Sequence, residues 1–357
     1  MKINLISPVR FNFAKTDLKK ENNTLYSNNK NIPFSYPKNY YLNQISFGKT
    51  NKEIYKQMAS ATSFEEIMGL FNELPDNVKE KCNKVVEAFK DNGLTLDKYL
   101  PACVKAPQLF CQSPETIEKN VKELVEKFKS YGLTLDNYIP TCIKQPSLFV
   151  ISPETIEKNV KELVDKFKSN GLTLNNYVPA CVKQPALFYQ SPETIEKNVK
   201  ELVNKFKDNG LTLNNYVPAC VKQSPLFCQS PETIAEHINV LRFSEFNNDE
   251  EIDNEEFFNK ILHRPMDLSC STSLLLIKNL IIPKMFENTE IPKSLKREHL
   301  REKLNDYIIS NPDKKYVINV KNIKSETDCI KLLKETLSKI STDALNRDDV
   351  FEVNVGN

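Results

Sequence analysis

A 39-residue period constrains this chain more than any other feature. Gly93, Gly132, Gly171 and Gly210 each open a Gly-Leu-Thr-Leu phrase. The units starting at Gly132 and Gly171 agree at 30 of 39 positions, and the thirteen residues SPETIEKNVKELV recur unchanged at 113–125, 152–164 and 191–203. A period of this length is the signature of stacked supersecondary units, each burying its apolar face only against its neighbours. A worn copy precedes the array (Pro75 through Lys90), and the unit opened by Gly210 decays after Ile234. The reading is an all-α solenoid of two-helix units: a degenerate 54–92, then 93–131, 132–170, 171–209 and 210–248.

Within each unit the second helix is marked by Ser113 as N-cap, Pro114 in the first turn and Glu115 beside it. Ile117, Val121, Leu124, Val125 and Phe128 follow at helical spacing. The glycine opening the next unit suits a left-handed C′ position. Pro140 and its equivalents imply a short first helix starting near Asp136–Asn137, with the proline in its first turn. Pro146 then ends it, leaving Pro146–Ile151 as a tight turn or 3₁₀ piece. Cys103, Cys142, Cys181 and Cys220 occupy equivalent places without the short spacing of zinc ligands, so they read as small buried residues. His237, His263 and His299 share no metal or triad spacing, and no phosphate loop or nucleophile elbow occurs. No enzyme, metal or cofactor is expected.

The Gly-Leu opening, the Pro-x-Leu-Phe phrase (Pro107–Phe110, Pro146–Phe149, Pro185–Phe188, shifted to Ser224-Pro225-Leu226-Phe227) and the Ser-Pro-Glu-Thr cap together resemble the mitochondrial transcription termination factor family. The layout is also similar to the DNA-reading repeats of TAL effectors. The resemblance implies a superhelix holding double-stranded nucleic acid in a basic groove. Because residues 93–241 contain no arginine, no DNA-contact residue is transferred by name.

Charge then directs attention to lysine. The chain carries 49 basic and 47 acidic side chains, net +2, with a balance of +6 in residues 1–50 and only +1 in 93–248. On the long helix, Glu115→Lys119, Glu118→Lys122 and Glu123→Lys127 have i,i+4 spacing and read as a self-neutralised face. Two sets remain: Lys129, Lys168 and Lys207, and Lys105, Lys144, Lys183 and Lys222. Stacking would turn each into a ladder of like charge, expected to face an anionic partner. In the inter-helix turn, one variable position reads Gln108, Ser147, Ala186, Pro225 and another Cys111, Val150, Tyr189, Cys228. Gln108 and Ser147 could bond base edges and Tyr189 could stack.

The expected function is non-catalytic nucleic-acid binding by a monomer, with double-stranded DNA favoured over RNA. The alternative is a protein-interaction scaffold, including a secreted or effector-type protein, holding a peptide or helix on its concave face. Nine cysteines without a secretory signal suit an intracellular setting, cytoplasmic or organellar. Residues 1–53 read as a disordered basic arm. Residues 249–357 read as helices (Phe257–His263, Ser273–Ile282, Leu295–Ile309) followed by a small α/β module. Its strands are expected at Tyr316–Val320 and Phe351–Val355, with a Ser325-capped helix near Thr327–Ile340 between them.

Overall fold

The computed structural model describes residues 49–246, 253–287, 289–296, 299–320, 327–341 and 347–355. The chain divides into two units, 1–36 and 37–357, and every described residue lies in the second. The expected arm falls outside the described residues as far as residue 48. Its boundary at 53 is corrected, because helix Lys49–Ser60 already occupies the last five positions.

The internal units repeat one local structure. A ten-residue short helix (Leu96–Lys105, Leu135–Lys144, Leu174–Lys183, Leu213–Lys222) leads into a 3₁₀ turn (Pro107–Phe110, Pro146–Phe149, Pro185–Phe188, Ser224–Phe227). A long helix follows (Pro114–Phe128, Pro153–Phe167, Pro192–Lys205, Pro231–Phe246). Serine caps each long helix, as where the Ser113 hydroxyl accepts from the Thr116 N–H at 3.1 Å. The first three internal long helices end through a 3₁₀ turn at glycine. At Gly132 (φ 86°) the Leu133 N–H reaches back to the Phe128 carbonyl at 3.3 Å. A side chain there would be strained.

The short helix starts at Leu135, one residue before the expected Asp136, and Pro140 lies inside it rather than in its first turn. A reciprocal cap fixes that start. The Thr134 N–H donates to Asn137 Oδ1 at 3.0 Å and the Asn137 N–H to Thr134 Oγ1 at 3.4 Å, while Asn137 Nδ2 also donates to the Gly132 carbonyl at 2.8 Å. Pro140 is exposed, and the carbonyl it leaves unpaired belongs to exposed Asp136, within reach of water.

Units are joined by an aromatic seam. Tyr99 meets Phe149 edge-on at 5.8 Å between ring centroids, Tyr138 meets Phe188 at 5.7 Å, and Tyr177 meets Phe227 at 5.8 Å. Each pair places a short-helix tyrosine against the 3₁₀ turn of the next unit, and all six rings are fully buried. Such edge-to-face pairs add about 0.5–1.5 kcal/mol each beyond the area they bury. The column Cys103, Cys142, Cys181 and Cys220 is buried beside the tyrosines as free thiols.

The array is longer at both ends than its sequence period. At the N-terminal end Lys49–Ser60 stands in for a short helix, with Tyr55 stacked on Phe110 at 4.6 Å. Helix Phe64–Asn72 replaces the 3₁₀ turn, and Asp76–Ala88 is the long helix. At the other end the expected boundary at 248 does not hold. Asp253 caps a ten-residue helix, Asn254–His263, followed by a 3₁₀ turn at Asp267–Ser269 and a long helix capped by Ser271. These positions repeat Thr212, Leu213–Lys222 and Ser230 at a constant offset of 41 residues. The new helices pack on the preceding short and long helices as every internal unit does. This sixth unit carries Leu268, fully buried, where the others carry phenylalanine.

The sixth unit's long helix runs from Thr272–Leu276 through a π turn at Ile277–Ile281 into Ile282–Met285. Pro283 cannot donate to the Asn279 carbonyl, and the ladder widens just before it. The expected helix Leu295–Ile309 is split into Lys293–Lys296 and Leu300–Ile309 at His299, whose φ is 62°. Strands β1 (Tyr316–Val320) and β2 (Phe351–Val355) pair in parallel from Tyr316↔Phe351 to Val320↔Val355. Parallel pairing needs a crossover, and helix Thr327–Ser341 lies between the strands in sequence. Ser325, expected as that helix's cap, lies outside the described residues.

Candidate nucleic-acid interface

Lysines in the array fall into two groups. On the long helices, Lys122 pairs with Glu118, Lys161 with Glu157 and Lys200 with Glu196, each at 2.6 Å. Lys127 lies 3.5 Å from Glu123 of its own helix but only 2.8 Å from Glu157 of the next unit. Lys166 repeats this with Glu162 at 3.6 Å and Glu196 at 2.8 Å. Glu157 and Glu196 each therefore bind two lysines from two units. Lys127 and then Lys161 hold the Glu157 carboxyl below its ordinary range, and Lys166 and Lys200 do the same for Glu196. Lys127 and Lys166 thus zip neighbouring units together, and the charge of the paired lysines is absorbed within the array.

The short-helix lysines are placed differently. Lys105, Lys144, Lys183 and Lys222 each occupy the last turn of their helix, are exposed, and have no ion pair among the described residues. A cation there is favoured by the helix dipole, which accounts for their tolerance but leaves the charge open to a ligand. Successive short helices are in contact with one another, and packed helices lie about 8–10 Å apart.

The second expected ladder is broken. Lys129 pairs with Glu126 three residues earlier, at 3.6 Å. Lys168 and Lys207 are exposed and make no ion pair among the described residues, the equivalent positions holding the shorter Asp165 and the neutral Asn204. This set sits at the C-terminal end of the long helices, whereas the short-helix row adjoins their N-terminal end. A fifteen-residue helix separates the two by about 22 Å.

A third set appears that spacing alone had assigned to pairs. Lys119, Lys158 and Lys197 are exposed and make no ion pair among the described residues, so the expected Glu115→Lys119 bridge is absent. In two later units the first-turn glutamate turns back instead. The Glu154 carboxyl is held down by its own backbone N–H and by Ser152, and the Ser191 hydroxyl donates to Glu193 at 2.5 Å. Ser191 and the helix N-terminus bring Glu193 down to about 2. A carboxylate at a helix N-terminus satisfies orphan donors, and that contact wins over the lysine four residues on.

The variable turn positions are mixed. Gln108 is half-buried, and the Ser147 hydroxyl accepts from Gln145 Nε2 at 2.9 Å. Tyr189 is half-buried against the core, which pushes its phenol up, and its carbonyl accepts from Asn159 Nδ2 at 3.5 Å. Gln108 and Tyr189 are both partly open, whereas the Ser147 hydroxyl is engaged by Gln145.

The position of Asn159 is a recurrent latch. Lys81 Nζ donates from the same place in the first unit to the Cys111 carbonyl at 3.4 Å. In the last clear repeat it is His237, buried, whose Nδ1 lies 2.6 Å from the Leu268 carbonyl of the sixth unit. Burial lowers that imidazole's pKa. His237 is thus a structural tie.

Among the described residues no three His, Cys, Asp or Glu side chains are grouped to hold a metal ion, and no helix is long and apolar enough to cross a membrane. No curated protein matches the chain at a significant level. The family model mTERF matches residues 41–212, which covers the first unit and the three that follow it. With its tandem helix pairs and 3₁₀ turns, the chain is an mTERF-like helical-repeat protein.

Proposed function

We propose that this protein is a non-catalytic scaffold that binds duplex nucleic acid, DNA ahead of RNA, along the row Lys105, Lys144, Lys183 and Lys222. The observation that carries the reading is the contrast in pairing. Lys127 and Lys166 of the long helices are consumed between units, while these four, at identical places in successive units, are exposed and have no ion pair among the described residues. The mTERF family is generally one of nucleic-acid-binding helical repeats. A step of about 8–10 Å matches roughly three phosphates at 3.4 Å per nucleotide along one strand. Lys119, Lys158 and Lys197 lie one to two turns into the long helices that start beside the row and add to its field. The chain acts as a monomer within the cell, in the cytoplasm or an organelle, without a cofactor.

The test changes all four lysines to Gln in the full-length chain and follows anisotropy of labelled duplex DNA, duplex RNA and single strands across salt. Four phosphate contacts correspond to a slope of roughly −3.6 in log K against log salt on duplex DNA. The variant is expected to lose most of that slope, equally on unrelated sequences, with unfolding shifted by less than about 1 kcal/mol. If the unaltered protein binds none of the probes at low salt, the protein-scaffold reading replaces this one.

A further inference from the structure

The sixth unit lies beyond both the clear sequence repeat and the family match at 41–212, yet its register is fixed. Asp253 stands at the place of Thr212 and Ser271 at that of Ser230, both 41 residues on, and each caps its helix. His237 ties the unit through the Leu268 carbonyl, and Gln223 Nε2 donates to the Ser269 hydroxyl at 2.7 Å. In that register Lys222 and Gln223 are followed in the next unit by His263 and Arg264.

We infer that the sixth unit lengthens the nucleic-acid-binding row by one step, with Arg264, supported by His263, as its phosphate contact; the inference rests on the reading above. Both side chains are exposed at the end of helix Asn254–His263 and make no ion pair among the described residues. The base of Arg264 is firm, since its N–H caps the helix at the Ile261 carbonyl (3.2 Å) and buried Pro265 follows. Asp267, a carboxylate three residues on, is already bound by Lys278 at 2.7 Å and does not neutralise the guanidinium. A guanidinium can take a phosphate by two parallel hydrogen bonds where an ammonium acts as a point charge. Residues 93–241 offer no arginine, so the row gains at this end a contact of a kind it has nowhere else.

The experiment uses the full-length chain and a labelled DNA duplex longer than the row, about 24 base pairs. Arg264→Gln is expected to weaken binding threefold to tenfold at physiological salt and to make the salt slope shallower by about 0.9. Arg264→Lys should keep the slope and lose part of the affinity, and Arg264→Glu should weaken binding more than the Gln variant. Because the three variants differ in charge at one exposed position, affinity that follows charge at unchanged unfolding temperature supports the contact. Unchanged affinity and slope in Arg264→Gln and Arg264→Glu overturn it. If the four-lysine variant loses binding while these two retain it, the extension alone is wrong. If the unaltered chain binds no duplex, both readings fall.

Discussion

Lysine recurs at the end of all four internal short helices and on the long helices of the first three internal units, and the paired long-helix lysines contrast with those of the short helices. On the long helices Lys127 and Lys166 reach across to Glu157 and Glu196 of the following unit at 2.8 Å, and the charge is absorbed by the protein itself. At the ends of the short helices Lys105, Lys144, Lys183 and Lys222 make no ion pair among the described residues. Position in the unit therefore separates lysines that hold units together from lysines without an ion pair among the described residues, although residue type and repeat are the same. A near-neutral array can in this way carry a positive row.

Both layers hang on the aromatic seam, so the largest effect comes from removing it. Phe188→Ala takes away a fully buried ring that meets Tyr138 at 5.7 Å. The expected cost is about 3–5 kcal/mol, seen as a lowered midpoint in chemical unfolding. Because repeat arrays couple mainly through neighbours, the loss should also make unfolding less cooperative. An effect below about 1 kcal/mol would mean that the zipper, not the seam, joins the units.

The zipper itself predicts a smaller, pH-dependent effect. Glu157 and Glu196 have their carboxyls lowered from the ordinary 4.5 by lysines on two units. A carboxylate of this kind stabilises the fold in its ionised form. Its contribution is whole above the unfolded value and is lost as pH falls through the lower folded one. The double change Glu157→Gln, Glu196→Gln should cost roughly 0.2–1 kcal/mol per site at neutral pH. That difference from the unaltered chain should vanish once the pH is well below 4.5. Nucleic-acid affinity should not fall; if it does, the paired lysines are part of the binding surface and the division between layers is wrong.

How much of this was legible in sequence depended on whether the determining partner lay within the same helix. The serine caps of the long helices, the glycine turns, the 3₁₀ piece and the strands at Tyr316–Val320 and Phe351–Val355 follow from local rules, and they stand where those rules put them. Spacing of i,i+4 shows only that the Glu115→Lys119 bridge can form; at the equivalent places Glu154 and Glu193 are held instead by a backbone N–H and a serine at the helix N-terminus. Lys127 was assigned to Glu123, while its closer partner, Glu157, sits 30 residues away on another unit. The sixth unit was hidden for a related reason. It lacks the Gly-Leu-Thr-Leu phrase, puts Leu268 where phenylalanine recurs and shifts the period from 39 to 41. What survives there are caps and contacts between units, which a repeat search by identity does not see.

The finest distinction is between the short-helix lysines and the pair Lys168 and Lys207. Lys168 and Lys207 are as exposed as Lys144 and Lys183, but they sit about 22 Å away at the other end of the long helices. At physiological ionic strength the Debye length is about 8 Å, so a charge that far from a bound phosphate is almost fully screened. The double change Lys168→Gln, Lys207→Gln should therefore weaken duplex binding less than about twofold at that salt. At about 0.01 M salt the screening length grows to about 30 Å, and the same variant should show a larger deficit. Anisotropy titrations at the two ionic strengths make the comparison directly. A loss at physiological salt equal to that of Lys144→Gln, Lys183→Gln would show that the ligand touches both rows. The bound nucleic acid would then lie across the long helices, spanning the array from edge to edge, and the short-helix row would be only one of its two rails.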